Sequence, residues 1–252
     1  MADIVRFEVC KLRSVRSTYW MLSLAIGFNL VFAALEAVFL PEKLSDHDGS
    51  TLDAVRVSLG GSHLSQVAIG VLGVLVITSE YTTGMIRVTF AAVPQRRRLL
   101  AAKAVVFAVV ALAVGVVASF AGFFTFQAVR TRDSLGAAIG DPGVVRALVG
   151  GGLYLAVLGL LGLGIGAVVR SPAGAIALLF GLLFVPQLLV DLLPEEWRTT
   201  IGPYLPMEAG SQVFSQHTPP DALSPWTGFA VFSLYAAVVL AAAFFLITRR
   251  DA

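Results

Sequence analysis

Long apolar stretches separated by short polar segments dominate this 252-residue chain. Six stretches carry no charge over about the length that a helix needs to cross ~30 Å of hydrocarbon, roughly 20 residues. Strands of a membrane barrel would instead alternate over segments of about 10 residues. The pattern predicts an all-α membrane protein with a single transmembrane domain over residues 1–252 and six transmembrane helices. The expected spans are about 17–40, 62–80, 103–129, 146–169, 172–191 and 226–248.

The distribution of charge predicts the orientation of these spans. With six spans, both termini share one side with the loops after the second and fourth spans, and that side holds 12 of the 18 basic residues. Cytoplasmic loops are enriched in Lys and Arg, so both termini are expected in the cytoplasm of a multi-pass cell-membrane protein. The basic residues in question are Arg6, Lys11, Arg13, Arg16, Arg87, Arg96, Arg97, Arg98, Lys103, Arg170, Arg249 and Arg250.

Two polar segments are expected to lie along the membrane surface. Residues 2–16 mix apolar and charged positions and precede the aromatic pair Tyr19-Trp20, which is typical of an interface. They predict an amino-terminal interfacial helix. Residues 192–225 are rich in proline and predict an outer re-entrant region with two short helices before the sixth span.

The sequence offers little support for enzyme chemistry. A phosphate-binding P-loop needs Gly-Lys followed by Ser or Thr, and no lysine here follows a glycine. His47, His63 and His217 lack metal-ligand spacing, and the single Cys10 allows no internal disulfide. We expect no catalytic, cofactor or metal site in this chain. The net charge of +2 gives no reason to expect a nucleic-acid partner.

The polar segment between the second and third spans is the most informative part of the chain. Residues 81–101 are expected to form a cytoplasmic loop, flanked by Glu80 and Lys103. A solvated basic loop explains its arginines, but such a loop has no need of the apolar residues and the glycine that accompany them. A short helix ending at Pro94 and docking onto a cytoplasmic partner explains both sets.

At these residues the sequence resembles the membrane subunits of ATP-binding-cassette exporters of the second type. Their pattern runs Glu-Tyr-x-x-Gly-(Thr/Met)-Ile-Arg, followed by spaced Pro, Arg and Lys. It is matched here by Glu80, Tyr81, Gly84, Ile86, Arg87, Pro94, Arg97 and Lys103. Met85 stands where threonine is commoner in the family. The resemblance covers nearly the whole chain, including the basic amino terminus, the six spans and the proline-rich outer region.

The resemblance implies a permease that works with other subunits. Two membrane subunits, forming a homodimer or heterodimer, would pair with two separate P-loop ATPase subunits. ATP and Mg would be bound by those ATPases, in agreement with the absent P-loop. The matched residues would form a coupling helix through which ATP hydrolysis drives export.

Polar residues within the spans are the candidates for pore or substrate contacts. Asn29 fits either that role or a hydrogen bond between helices, and Glu36 fits either a substrate carboxylate or an interfacial one. Pro186 and Gln187 fit a substrate site or a structural kink. The mostly apolar spans favour a drug, lipid or peptide as cargo. The alternative functions are a non-transporting sensing or immunity subunit and a lipid-modifying enzyme.

Overall fold

The computed structural model describes residues 2–39, 54–92, 95–129, 138–215 and 222–249. Over these residues the chain is helical with no strand. Two 3-10 turns, Gly202–Tyr204 and Gln212–Phe214, accompany the α-helices. In chain order the helices are α1 (Ala2–Ser14), α2 (Arg16–Phe39), α3 (Ala54–Ser58), α4 (Ser62–Thr82), α5 (Met85–Ala92), α6 (Arg96–Val129), α7 (Val144–Val169), α8 (Pro172–Asp191), α9 (Glu195–Ile201), α10 (Pro206–Ser211) and α11 (Pro225–Arg249).

Six of the described helices are long and apolar enough to cross a membrane, which confirms the predicted fold class. They are α2, α4, α6, α7, α8 and α11. Each coincides with one of the predicted spans to within a few residues, except that residue 40, the expected end of the first span, lies outside the described residues. Helix α6 is longer than its span because it begins at Arg96, and its first turn carries the charges of Arg96, Arg97 and Arg98.

Helix α7 lies at the centre of the bundle. In the apolar part of α7, 72% of the residues are buried, compared with 22% in the apolar parts of α2, α8 and α11. It packs against α4, α6, α8 and α11, while α2 packs against α4 and α6. Helices α2, α8 and α11 therefore present large apolar faces outward, as expected of helices that meet lipid or another membrane chain.

Glycines let the central helices approach each other closely. A Cβ built on Gly73 of α4 would lie 2.3 Å from the carbonyl oxygen of Gly159 on α7. Two turns earlier in α7, a Cβ on Gly115 of α6 would lie 2.8 Å from the Cα of Gly152. Inside a membrane no hydrophobic driving force brings helices together, so their association depends on close packing, which small residues at the contacts allow.

The segment before α11 consists of one exposed and one buried part. All residues of α9 are exposed. In contrast, α10 and the turn Gln212–Phe214 are largely buried and pack against α7 and α11. Tyr154 of α7 stacks on Phe232 of α11 and meets Phe214 edge-on, so this segment is anchored to the bundle by aromatic contacts.

Candidate functional site

The short helix α5 lies within the predicted loop and connects α4 to α6. It follows Gly84, whose φ of +71° lies in the left-handed region that glycine adopts without penalty. Ile86 is 3% exposed and turned toward the protein, whereas Val88 is 72% exposed. Arg87 is also exposed. Helix α5 thus has one anchored face and one open face, and the open face combines apolar and cationic side chains.

Beside α5, four charged side chains meet in a buried ionic cluster, defined as Glu8, Lys11, Glu80 and Lys103. Lys103 Nζ donates a hydrogen bond to Glu8 Oε2 at 2.6 Å and a second one to Glu80 Oε1. Lys11 Nζ lies 2.8 Å from the same Glu80 oxygen. Glu8, Glu80 and Lys103 are each at most 2% exposed. The cluster therefore joins α1 to the last turn of α4, before α5, and to α6 about two turns after its start.

The charges of this cluster balance, which is what makes its burial tolerable. Two carboxylates and two ammonium groups sum to zero, and moving an unpaired charge out of water costs several kcal/mol. Two oxygens nevertheless lack a donor among the described residues, Glu8 Oε1 and Glu80 Oε2. A buried acceptor without a partner is unfavourable, so these oxygens mark where a further donor would be accommodated.

Tyr81 connects the same end of α4 to the turn between α7 and α8. The guanidinium of Arg170 lies 5.1 Å from the Tyr81 ring centre, within the range of a cation–π contact. Arg170 ends α7 in a left-handed conformation, with φ of +61°, and its backbone N–H donates to Gly166 O at 2.8 Å. Tyr81 is thus in contact with Arg170, a residue with a strained backbone conformation at the end of the central helix α7.

The arginines at the start of α6 face different surroundings. Arg96 Nη1 donates to the carbonyl oxygen of Ile247 near the end of α11 at 3.4 Å. Arg97 is exposed. Arg98 Nη1 donates to Gln95 Oε1 at 2.6 Å. The predicted helix stop at Pro94 lies outside the described residues, as do His47, His217 and Arg250.

The four predicted pore residues do not form one site. Asn29 is fully buried and donates from Nδ2 to Ser65 Oγ at 2.6 Å, which joins α2 to α4. The carboxylate of Glu36 lies close to Gly60, between α3 and α4. A Cβ built on Gly60 would lie 2.5 Å from Glu36 Oε1. Pro186 lies inside α8. Gln187 is half-buried and lines a surface depression of about 330 Å³ bordered by α9 and α10.

Sequence reasoning missed Glu8 and Lys11 as members of the cluster. The mixed composition of residues 2–16 predicts an interfacial helix, in which both charges would meet water. The signal that could have found them is their position, because Ile4, Glu8 and Lys11 follow helical spacing and share one face of α1. A carboxylate on the same helix face as an isoleucine is a candidate for burial with a partner.

The arrangement has no feature of a metal centre. Among the described ranges, no group of three or more His, Cys, Asp or Glu residues could hold a metal ion. The geometry provides a short helix with one exposed face, connected along the chain to two membrane-spanning helices that are joined to each other by an ion pair.

Six apolar helices with short helices between them define this chain as a multi-pass α-helical membrane protein. The family model described as ABC-2 family transporter protein matches residues 62–252, and the chain belongs to that family. It is therefore a membrane permease subunit of an ATP-binding-cassette transporter, and the family implies a partner ATP-binding subunit. No curated protein sequence matches the chain. The matched region begins with α4, so it includes Glu80, α5 and Lys103 but excludes Glu8 and Lys11.

Proposed function

We propose that this permease exports a hydrophobic or amphipathic cargo, and that α5 is the coupling helix that receives the force of ATP hydrolysis. The observation that carries the proposal is the two-sided character of α5. Ile86 anchors it to the protein, while Met85 and Val88 are 47% and 72% exposed. Exposed apolar side chains next to Arg87 are typical of a surface that docks into a partner with an apolar core and acidic rim.

The connection from α5 to the bundle supplies a path for the motion. A displacement of α5 acts on α4 through the turn at Gly84 and on α6 through the chain that follows. Glu80 and Lys103 join these two helices to each other and to α1, so the three move together. ATP-driven closure of the ATPases would favour one of two states of this unit, which is a population shift with differential contacts at α5.

The proposed assembly has two copies of the ATPase subunit, which bind ATP and Mg, and two membrane subunits. The second membrane subunit is another copy of this chain or a related one. The apolar outer faces of α2, α8 and α11 supply surface for that pairing and for lipid. In the proposed topology both termini and α5 lie in the cytoplasm, because the side that holds them is enriched in Lys and Arg.

Export is tested by reconstituting the permease and its ATPase in vesicles and measuring ATP-dependent movement of labelled amphipathic probes. The expected result is flux that requires ATP and both subunits. ATPase association without flux for any probe would instead support a non-transporting sensing or immunity subunit.

The role of α5 is tested in the same vesicles with Arg87→Glu and with deletion of residues 83–93. Arg13→Glu on exposed α1 is the matched control, since it reverses a basic charge away from α5. We expect both α5 variants to lose ATPase association and ATP-dependent flux, while Arg13→Glu retains them. Unchanged docking and flux after the deletion would overturn the coupling role.

A further inference from the structure

A cleft opens between α1, α2 and α4 beside the buried ionic cluster. Its volume is about 200 Å³. Glu8, Lys11 and Lys103 line one end, and the apolar side chains of Leu72, Leu75 and Val76 line the α4 wall. A drug-sized ligand occupies a pocket of roughly 300–1,000 Å³, so this cleft suits a narrower object with a polar end and an apolar body.

The position of the cleft relative to the bilayer indicates what can reach it. Ser17 and Thr18, in the first turn of α2, belong to its lining, and the next residues, Tyr19 and Trp20, are 54% and 76% exposed. Exposed aromatic side chains at the start of a membrane-spanning helix mark the level of the lipid headgroups. The polar end of the cleft therefore lies at headgroup depth, while its apolar wall continues along α4.

The hydrogen-bonding groups at the polar end of the cleft determine which lipid headgroup fits there. Glu8 is 2% exposed, and its Oε1 accepts no hydrogen bond from the described residues. Lys11 Nζ is also buried, and beyond its ion pair with Glu80 Oε1 its N–H groups have no acceptor among the described residues. A ligand with an N–H donor for the carboxylate oxygen and an anionic group near Lys11 satisfies both. The ionic cluster is already neutral in sum, so a zwitterion leaves the charge balanced, whereas a purely anionic headgroup does not.

We propose that this cleft is a binding site for one phospholipid whose amine headgroup carries an N–H, such as a phosphatidylethanolamine. The ammonium group donates to Glu8 Oε1, the phosphate lies toward Lys11, and part of one acyl chain lies against Leu72, Leu75 and Val76. Hydrocarbon tails are as apolar as these side chains, so the tail contact adds little preference and the headgroup decides which lipid binds. This inference depends on the chain being a membrane protein and is independent of its cargo or transport direction.

The test is binding of dioleoyl lipids to the purified full-length protein, with its ATPase partner bound, measured by native mass spectrometry. Phosphatidylethanolamine, its N,N-dimethyl derivative, phosphatidylcholine and phosphatidylglycerol are compared. We expect one lipid of the first two kinds to bind about tenfold more tightly than phosphatidylcholine, the factor expected from one hydrogen bond to a charged group. Of the three amine headgroups, only the quaternary amine of phosphatidylcholine lacks an N–H, and phosphatidylglycerol, which has no amine, is expected to bind as weakly as phosphatidylcholine. Equal binding of phosphatidylethanolamine and phosphatidylcholine, as expected if water or a protein segment fills the cleft, would overturn the site.

Leu75→Trp locates the binding in the cleft, because the larger indole would fill part of the apolar wall that Leu75 lines. Leu234→Trp on α11 makes the same substitution at a position that is 63% exposed and remote from the cleft. We expect Leu75→Trp to abolish the preference for phosphatidylethanolamine and Leu234→Trp to retain it. A preference that survives Leu75→Trp would place the lipid elsewhere. The headgroup series on the unaltered protein tests the proposal even if Leu75→Trp does not fold.

Discussion

Lys103 on α6 and Glu8 on α1 form an ion pair of 2.6 Å although they lie 95 residues apart in the sequence. Both residues are 2% exposed. Lys103 also bonds Glu80, so a single ammonium group holds the amino-terminal helix and the two spans on either side of α5. The consequence is that α1, which has the composition of a surface helix, is attached to the bundle at the base of the proposed coupling element.

Replacing Lys103 by methionine tests how much this cluster contributes to stability. The substitution removes the ammonium group, keeps an unbranched apolar side chain one atom shorter, and leaves Glu8 and Glu80 buried with one fewer cation. Removing one partner of a buried ion pair costs about 3–5 kcal/mol, so thermal unfolding in detergent is expected at a markedly lower temperature. Arg97→Met is the control, since Arg97 is exposed on the same helix. Equal shifts for the two variants would show that the cluster is not stabilising.

Gly84→Ala tests the turn that joins α4 to α5. A left-handed conformation costs a residue with a Cβ about 1–2 kcal/mol, and no atom lies within 4 Å of that Cβ position. The effect is therefore strain at the turn without a clash. We expect lower ATP-dependent flux with little change in bundle stability. Gly84→Asn is the matched variant, because asparagine tolerates this conformation, and it should retain more flux. A similar loss in both variants would argue against backbone strain as the cause.

Gly73→Ala tests the close approach of α4 and α7. The added methyl group would lie 2.3 Å from the Gly159 carbonyl oxygen, so the two helices must separate. We expect a loss of stability of about 1–3 kcal/mol, the usual cost of overpacking a core. Gly181→Ala on α8 meets nothing within 4 Å and should be neutral or stabilising, since alanine favours helix by about 1 kcal/mol. The unfolding temperatures of Gly73→Ala and Gly181→Ala, each measured against the unaltered protein, test this difference.

Asn29→Leu separates a structural role of Asn29 from a role in the transport pathway. Its amide donates to Ser65 and accepts from Ser62, both on α4. Interhelical hydrogen bonds in membranes are worth about 0.6 kcal/mol on average and up to ~1.7 kcal/mol. We therefore expect a modest loss of stability with flux per folded protein unchanged.

Gln187→Leu is the comparison for that experiment, because Gln187 Oε1 has no hydrogen-bond donor among the described residues. This variant should not lower stability. If Asn29→Leu instead changes cargo flux at unaltered stability, Asn29 contacts the transported molecule.

Much of the fold could be predicted from the sequence because the bilayer imposes a strong constraint. A segment in hydrocarbon must satisfy its own backbone hydrogen bonds, so length and apolarity are enough to identify a spanning helix. The uncharged windows accordingly coincide with α2, α4, α6, α7, α8 and α11. For the candidate site, the spacing from Glu80 to Lys103 singled out the segment that contains α5. The roles of its residues remain predictions.

Which helices lie inside was not predictable in the same way. Lipid tails and protein interiors are equally apolar, so a helix facing either has the same composition. The apolar sequence of α8 does not distinguish it from α7, yet α7 is central and α8 is peripheral. The partner of Gly159 likewise depends on how α4 lies against α7.

The sequence by itself determined the number and approximate position of the spanning helices, the basic segment between the second and third of them, and the absence of a P-loop. Only the tertiary structure decided that Glu8 of α1, Glu80 of α4 and Lys103 of α6 meet in one buried cluster. The reason is that helix formation is a local property of length and apolarity, whereas the pairing of buried charges depends on which helix ends pack together. That packing is set by contacts between residues far apart in the chain.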